Sequence, residues 1–362
     1  MASVLKPVDD TRMFEKIGKT LADTGEFDVT IIGYPVSTQP NTSLIKYIML
    51  PTFNRLSWRR LMATWIIFKK INEVKPELII INTPELLLVA MLNKIFFGRK
   101  IVYDVLENYY RNIRYTPAFQ ALLRWPVASL VRCTEWITSP LIDYFWLAEL
   151  GYKKELRFAQ PHTILQNKLP KLIAGRYPIN SKGSTRLLFT GTLAPSTGVF
   201  EAIELVRKLN QIDPSYSLTI IGYCAIPKIL EQLKKEINQS PFITLIGGDT
   251  LVPHEEILNE ISSADWGVIF YPANPGTQSS IPTKLYEYLA LKLPILIRHN
   301  EESHYLVEQA RAGIILSESV EYDALSAKMK SNPITPTPPD TVFWESQAAD
   351  LMNSLKLLKL YP

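Results

Sequence analysis

Short apolar runs of strand length alternate with helical patterns along most of the chain. Runs of this kind occupy 77–82, 100–104, 186–191, 217–222, 242–247 and 266–270, with helical spacing at 84–97, 199–209 and 254–262. Strands that are apolar on both faces belong to parallel sheets that helices cover on each side. The pattern therefore predicts an α/β protein built from parallel sheets.

The polar segment 179–185 separates two series of this alternation. A chain of 362 residues also exceeds what one compact core usually holds. We therefore predict two Rossmann-like domains, at 1–178 and 186–335, with 340–362 forming a C-terminal helix. In the first domain we expect a short strand at Val4-Leu5, a helix over 11–21, a strand over 27–33 and a further strand at 136–139.

Composition and motifs exclude several classes of protein. The two cysteines, Cys133 and Cys224, lie far apart and have no metal-ligand spacing around them, so neither a disulfide nor a metal site is predicted. No apolar run approaches the ~18 residues of a membrane span, and we expect a soluble, cytoplasmic protein. The chain has no Gly-x-Gly-x-x-Gly after a strand and no Walker loop, which argues against a dehydrogenase or a P-loop NTPase.

One segment, 46–75, is strongly basic. It contains seven cations and one acid, a net charge of +6, interleaved with large apolar residues that include Trp58 and Trp65. Such a segment is typical of a surface that contacts an anionic membrane. It is equally typical of a helix that turns its apolar side to the core and its charges to water. No nucleic-acid-binding motif accompanies the charge.

The stretch 279–297 carries the clearest candidate site. Pro282 suits the first turn of a helix and Ser280 can cap it, while Pro294 stops the helix before an apolar strand. At helical spacing, Lys284, Glu287 and Tyr288 share one face. A cation and free amides at a helix start suit a nucleotide diphosphate, and a carboxylate one turn later can accept two ribose hydroxyls. The same spacing also fits a plain exposed ion pair between Lys284 and Glu287.

The string 282–290, with the strand that follows Pro294, resembles the donor-site helix of GT-B glycosyltransferases of the family-four type, also called group 1. The resemblance implies two Rossmann-like domains that face each other across a cleft, with the last helix packing back towards the first domain. It implies transfer of a sugar from a nucleotide diphosphate sugar to a bacterial surface-polysaccharide or glycolipid acceptor. Members of this family usually retain the anomeric configuration and need no metal, and no cofactor is implied beyond the nucleotide sugar.

The resemblance also assigns roles to residues. It implies that Glu287 holds the donor ribose, and that Lys284 and the loop 191–198 stabilise the leaving phosphate. The residues that it places around the donor are Gly191, Thr192, Thr197, Gly222, Tyr223, Leu251, Ser279 and Ser280. Near the acceptor, the segment 7–12 is similar to a loop that borders the cleft in relatives.

Several positions depart from the family pattern. Thr192 and Thr197 stand where relatives usually have a phosphate-binding arginine and lysine, and Ser279 stands where they have a first glutamate. Leu106 occupies the position of an expected histidine, which leaves Glu107 or Asp104 as the candidate carboxylate that activates the acceptor; Asp104 also suits a helix cap.

These departures keep two other functions open. One is a non-catalytic binding or scaffold protein of GT-B form. The other is a nucleotide-sugar epimerase, for which the four histidines at 162, 254, 299 and 304 form no obvious cluster in the sequence.

Overall fold

The computed structural model describes every residue except 37–41, 53–58, 116–119, 181–182, 273–280, 300, 318, 332–333 and 361–362. Residue contacts divide the chain into two units, Met1–Asn167 with Gln347–Pro362, and Lys168–Ser346. Each unit holds one parallel sheet, of seven strands in the first and six in the second. The predicted α/β class with two Rossmann-like sheets is confirmed.

The sheet of the first unit has the spatial order β3-β2-β1-β4-β5-β6-β7. Its strands are β1 (Ala2–Pro7), β2 (Val29–Tyr34), β3 (Ile45–Met49), β4 (Leu78–Ile81), β5 (Lys100–Val105), β6 (Tyr144–Leu147) and β7 (His162–Ile164). β1 is longer than the predicted Val4-Leu5 pair because it adds residues at both ends. The order reverses between β1 and β4, and doubly wound folds bind ligands beyond the carboxyl ends of strands at such a point.

Helices of the first unit are α1 (Lys19–Ala22), α2 (Arg59–Val74), α3 (Leu87–Phe97), α4 (Tyr109–Tyr115), α5 (Ala121–Thr138) and α6 (Tyr152–Glu155). A π-helical segment, Thr11–Gly18, leads into α1, and the Asp10 side chain caps it by accepting from the backbone N–H groups of Arg12 and Met13. On one face of the sheet, α2 and α3 bury residues such as Ile67 and Ala90 against β4 and β5. This layer of helices covers the face of the sheet on which Tyr103 lies.

The predicted strand at 136–139 is wrong. Residues 136–138 end α5, and the strand that follows is β6. Trp136 and Ile137 are exposed on this helix. Helices are recognised in a sequence by polar residues on their outer side. Because α5 has apolar residues there, its end resembles a short apolar strand.

The second unit repeats the same architecture with the order β10-β9-β8-β11-β12-β13. Its strands are β8 (Arg186–Thr192), β9 (Ser217–Tyr223), β10 (Ile243–Gly248), β11 (Trp266–Ile269), β12 (Ile295–Arg298) and β13 (Gly313–Leu316). Its helices are α7 (Lys171–Ala174), α8 (Val199–Ile212), α9 (Pro227–Asn238), α10 (His254–Ser263), α11 (Thr283–Ala290), α12 (Glu301–Gln309) and α13 (Tyr322–Ser331). Two apolar clusters, one on each face of the sheet, form the core of this unit.

The chain end returns to the first unit. Two short 3-10 turns, Asp340–Val342 and Trp344–Gln347, precede α14 (Ala348–Leu357). Leu351 and Leu355 of α14 are buried, and the indole N–H of Trp146 in β6 donates to Ser354 Oγ at 2.9 Å. The C-terminal helix thus completes the core of the unit that begins at Met1.

Candidate active site

The strands of the second sheet reverse their order between β8 and β11, so its switch point lies beyond the end of β8. β8 ends at Gly191 and Thr192, and Gly191 pairs in register with Gly222 of β9. A Cβ atom on Gly222 would lie 1.7 Å from the carbonyl oxygen of Gly191. Only glycine permits this approach of the two strand ends, and the result is an edge lined by backbone.

The loop after β8 depends on a second glycine. Gly198, with φ +82°, precedes the first residue of α8, and a Cβ there would lie 1.6 Å from the carbonyl oxygen of Phe270. Left-handed backbone and close approach to β11 together exclude larger residues at this position. The loop 191–198 is therefore held against the end of β11, where Phe270 and Tyr271 leave the sheet.

Lys284 is the main charged residue at this edge. It lies in the first turn of α11, which begins at Thr283 with Pro282 as its N-cap. Its side chain is buried, and its Nζ has no hydrogen-bond partner among the residues that the structure describes. The ammonium lies 3.6 Å from the ring centroid of Phe189 and 5.6 Å from that of Tyr271. A Cβ on Gly191 would be 3.8 Å from Lys284 Cε, which places this side chain beside the end of β8.

Burial sets the protonation of Lys284. Desolvation lowers its pKa to about 7, and the nearby carboxylate of Glu287 opposes that shift. Aromatic faces contribute cation–π attraction but give no hydrogen-bond acceptor. A buried ammonium without an acceptor is expensive, and an anion that arrives beside it removes that cost.

Glu287 pairs with a histidine that sequence reasoning did not select. His254 Nε2 lies 2.9 Å from Glu287 Oε1, and both side chains are mostly buried, 22% and 13% exposed. His254 is the first residue of α10, which follows the end of β10. In the sequence, the signal that could have identified His254 was its position shortly after the end of a strand, at the carboxyl edge of the sheet. The alternative of an exposed ion pair between Lys284 and Glu287 is wrong, because Lys284 is buried and Glu287 contacts His254.

Tyr288 lies one turn after Lys284 on α11 and is buried in the core, as Lys284 is. Its ring lies against Gly267, where a Cβ would come within 2.4 Å of ring atoms, and its hydroxyl is 3.1 Å from Thr190 Oγ1. Burial raises the pKa of this phenol. Tyr288 therefore anchors α11 to β8 and β11 in the core.

Of the two threonines in the loop 191–198, only Thr192 is exposed. Thr197 is buried, and its hydroxyl lies 2.7 Å from the carbonyl oxygen of Thr192 and 2.8 Å from that of Ala194. It also accepts from the Ala194 backbone N–H at 3.2 Å. Thr197 thus uses its hydroxyl to fold the loop.

The other predicted donor residues differ in exposure. Tyr223 is half-buried at the end of β9, and Leu251 is exposed in the segment before α10. Ser279 and Ser280 lie outside the described residues. The second unit thus brings together Gly191, Gly222, Lys284 and Glu287, to which the structure adds His254.

The two candidate carboxylates for the acceptor belong to the first unit and differ in environment. Asp104 is buried at the end of β5 and accepts from Arg12, with Arg12 Nε 2.8 Å from Oδ2 and Nη2 2.6 Å from Oδ1. Arg12 Nη1 also donates to the carbonyl oxygen of Leu165 at 2.7 Å. The Asp104 carboxylate is thus occupied by a bidentate ion pair, which joins the π-helical segment Thr11–Gly18 to β5. Glu107 is exposed and accepts from Asn112 Nδ2 at 2.7 Å.

The carboxyl edge of the first sheet contains further buried polar groups. Asn82 and Thr83 follow β4 at the switch point, and their side-chain polar atoms have no hydrogen-bond partner within the described part of the chain. The hydroxyl of Tyr109 donates to the Asn82 carbonyl oxygen at 3.2 Å. Arg60 of α2 forms an ion pair with Glu85 just beyond. Unpaired polar groups at a switch point are suited to binding a polar ligand.

A comparison with protein families identifies the part of the chain that contains Lys284 and Glu287. Residues 177–332, which contain β8 to α13, match the family model described as glycosyl transferases group 1. The chain thus carries a glycosyl transferases group 1 domain at these residues. No curated protein matches its sequence.

Solved structures show the fold of this glycosyltransferase. A sucrose-phosphate synthase from Thermosynechococcus elongatus is similar with a TM-score of 0.65 at 15% identity, over 94% of this chain and 91% of that one. A trehalose 6-phosphate synthase from Burkholderia multivorans gives 0.60 at 12% identity, over 99% and 97%. HepE of Anabaena, solved with UDP and glucose, gives 0.56 at 13% identity, over 94% and 92%. The glycosyltransferase therefore has the GT-B fold.

Two other features do not occur among the described residues of this glycosyltransferase. These residues contain no group of three His, Cys, Asp or Glu side chains arranged to hold a metal ion. None of the described helices has both the length and the apolar composition to span a bilayer.

Proposed function

We propose that this glycosyltransferase moves a sugar from a nucleotide diphosphate sugar to a surface-polysaccharide or glycolipid acceptor. The observation that carries the proposal is the buried ammonium of Lys284, which lacks a hydrogen-bond partner among the described residues and lies beside the glycine-lined end of β8. HepE, which has the same fold, was solved with UDP and glucose. A diphosphate placed at Lys284 would supply the acceptor that the ammonium lacks.

Lys284 stabilises the leaving diphosphate in this proposal. Its pKa of about 7 makes it partly neutral without ligand, and an adjacent phosphate favours its charged form. Negative charge grows on the diphosphate as the glycosidic bond breaks, so a preorganised cation there favours the transition state. Because positions 192 and 197 hold threonines and carry no charge, Lys284 supplies most of the positive charge at the leaving diphosphate among the residues described at this edge.

Glu287 binds the donor ribose, and His254 orients its carboxylate. One carboxylate oxygen faces His254 Nε2 at 2.9 Å, and a carboxylate has enough lone pairs to accept two ribose hydroxyls as well. Fixing the carboxylate before the donor arrives lowers the entropy that binding must overcome. Gly222, Tyr223 and Leu251 are proposed to border the nucleoside.

Transfer is proposed to retain the anomeric configuration and to use no metal ion. In front-face transfer the acceptor oxygen bonds to the anomeric carbon on the side from which the diphosphate leaves, so no protein nucleophile is needed, and the leaving phosphate can take the acceptor proton. Of the two candidate carboxylates, Glu107 is proposed to assist the acceptor, since Arg12 already engages Asp104. Asn82 and Thr83 offer unpaired polar groups for a glycan or lipid-linked acceptor.

The proposal also includes a cytoplasmic site of action with peripheral contact to a membrane through the segment 46–75. Residues 53–58 of this segment lie outside the described residues. In the described part, Met62 and Trp65 are exposed on α2, and Lys69 Nζ lies 5.8 Å from the Trp65 ring centroid. Trp beside lysine is typical of residues at a membrane interface.

Donor binding can be tested by calorimetric titration of the purified protein with UDP, GDP, ADP and dTDP. We expect saturable binding of one diphosphate, and at least a tenfold weaker affinity in Glu287→Ala, roughly 1.4 kcal/mol, because ribose contacts are lost. His254→Ala should weaken binding less, since the carboxylate remains. The control Glu308→Ala removes an exposed glutamate of α12 and should bind as the wild type does.

Two results would contradict the proposal. One is the absence of binding to every diphosphate by the folded wild type. The other is equal affinity in Glu287→Ala and Glu308→Ala, which would remove Glu287 from the donor site.

A further inference from the structure

The helix α5 has an unusual orientation in the first unit. Its inward side carries polar side chains, among them Glu135, Thr138 and Arg132. Glu135 Oε1 accepts from the buried Tyr103 hydroxyl at 3.1 Å, and Arg132 Nη2 donates to Asn108 Oδ1 at 2.6 Å. These bonds fix which side of α5 faces the sheet.

The outward side of α5 is apolar along its whole length. Leu122 is 91% exposed, and Leu130, Trp136 and Ile137 are each at least 65% exposed. At ~100° per residue, the exposed apolar residues fall within one arc of about 160°. These residues are Leu122, Leu123, Trp125, Leu130, Trp136 and Ile137. Within α5, which the structure describes completely, no Lys, Arg, Asp or Glu lies in that arc.

Two neighbouring helices extend this apolar surface. α5 contacts α3, and α3 contacts α2 in the same layer. α3 exposes Leu88, Phe96 and Phe97, and α2 exposes Met62 and Trp65. Single exposed apolar residues are ordinary, whereas several on each of three helices in contact mark a surface that binds something.

Charge around the apolar surface indicates its partner. The helices α2, α3 and α5 contain seven cations and two acids, and two acids of other segments, Glu85 and Asp143, pair with Arg60 and Lys94, which leaves a net charge of +3. Of the two acids within the helices, Glu135 is buried and Glu73 pairs with Lys70. Arg99 lies over the Phe97 ring at 4.6 Å, as Lys69 does over Trp65. Long basic side chains above aromatic rings place their charges at the rim of an apolar surface.

We propose that the outward faces of α2, α3 and α5 form a docking surface for an anionic lipid bilayer, with α5 as its centre. Apolar and aromatic side chains would enter the boundary between headgroups and acyl chains, while the surrounding cations contact anionic headgroups. A second copy of this chain fits less well, since it would bring the same net charge of +3 against the first. This surface extends the membrane contact proposed for 46–75, to which α2 belongs, over α3 and α5, and it rests on that part of the proposed function; it is independent of sugar transfer.

Sedimentation with vesicles tests the proposal on the full chain. We expect binding to vesicles of phosphatidylcholine with 30% phosphatidylglycerol, much weaker binding to phosphatidylcholine alone, and loss of affinity as salt rises. The triple variant Trp125→Gln/Trp136→Gln/Ile137→Gln should bind the anionic vesicles with an affinity that is lower by at least about tenfold. These side chains are exposed, so the variant should keep its circular dichroism spectrum.

A matched variant controls for the loss of apolar surface elsewhere. Leu172→Gln/Leu357→Gln removes two residues that are 71% and 70% exposed on other helices, and it should bind vesicles as the wild type does. Glu287→Ala should also bind vesicles normally, which separates this inference from the donor site. Absence of wild-type binding to anionic vesicles, or equal binding by the triple variant, would overturn the proposal. A wild-type dimer in light scattering that the triple variant abolishes would overturn it in favour of self-association.

Discussion

Spacing predicts which residues of α11 matter, but their chemistry depends on neighbours that are distant in sequence. Lys284 and Glu287 could be selected from the pattern at 282–290. The missing hydrogen-bond partner of Lys284 could not, because its ammonium lies beside Phe189 of β8 and Tyr271 of the segment after β11, both distant in sequence. The contact between His254 and Glu287 could not be predicted from the sequence either, because it joins α10 to α11, which are distant along the chain.

At the residue scale, we expect the Lys284 ammonium to make unliganded stability depend on pH. Its pKa is about 7 in the folded chain and ~10.4 in an unfolded one. Between pH 7 and pH 9 the unfolded chain therefore binds more protons, and the free energy of unfolding rises with pH by about 2 kcal/mol from this residue. Urea unfolding at both pH values should show this rise in the wild type and lack it in Lys284→Met.

Other groups also titrate in this range, so the informative quantity is the difference between wild type and variant. Lys284→Met should be the more stable protein at pH 7, because it removes a buried charge that lacks an acceptor. A variant that is less stable than the wild type at pH 7, with the same pH dependence, would show that Lys284 already has a partner in the unliganded protein.

At the element scale, the sequence predicts strands and ordinary amphipathic helices well. It predicts badly a helix such as α5, whose polar residues face inward and whose apolar residues face outward. The four strands β8 to β11 begin and end within one residue of their predicted bounds because each is a continuous apolar run between turn residues, whereas β13 was not predicted. α5 failed because Glu135 and Arg132 face inward while Trp136 and Ile137 face outward. Periodicity reports which residues alternate, and only the packing tells which side is buried.

The loop between β8 and α8 should depend on Gly198 through contact as well as backbone angle. Gly198→Ala brings a Cβ to 1.6 Å from the Phe270 carbonyl oxygen. Gly98, which has φ +66°, is a matched control, because a Cβ added there has nothing within 4 Å. Both substitutions cost about 1 kcal/mol for the left-handed backbone. We expect Gly198→Ala to lose at least about 2 kcal/mol more and to weaken diphosphate binding.

Chemical denaturation and calorimetry of the two glycine variants separate these effects. Gly98→Ala reports the backbone term alone, since its Cβ enters open space. Equal losses of stability in the two variants would show that the loop 191–198 moves away from β11 at little cost, and donor binding would then not depend on its position.

At the scale of the whole molecule, the chain passes from the first unit to the second and back again. The polypeptide builds the first sheet, continues through the second unit and returns with α14 to finish the first. A polar linker and an alternation of strands could predict two sheets. The unit to which the last helix belongs depends on contacts such as that of Trp146 with Ser354, over a separation of 208 residues.

The stability of the first unit should be separable from donor binding in the second, because the residues of α14 and those of the donor site belong to different units. Leu351 of α14 is fully buried, so Leu351→Ala should destabilise the first unit by about 2–5 kcal/mol through lost burial and a cavity. Leu357→Ala changes the same helix at a residue that is 70% exposed, and it should change stability by less than about 0.5 kcal/mol. Hydrogen exchange should rise in β6 and β7 for Leu351→Ala only. Diphosphate affinity should match the wild type in both variants at temperatures where the first unit stays folded, because Lys284, Glu287 and His254 all belong to the second unit. A loss of affinity in Leu351→Ala under those conditions would mean that the donor site requires the core completed by α14.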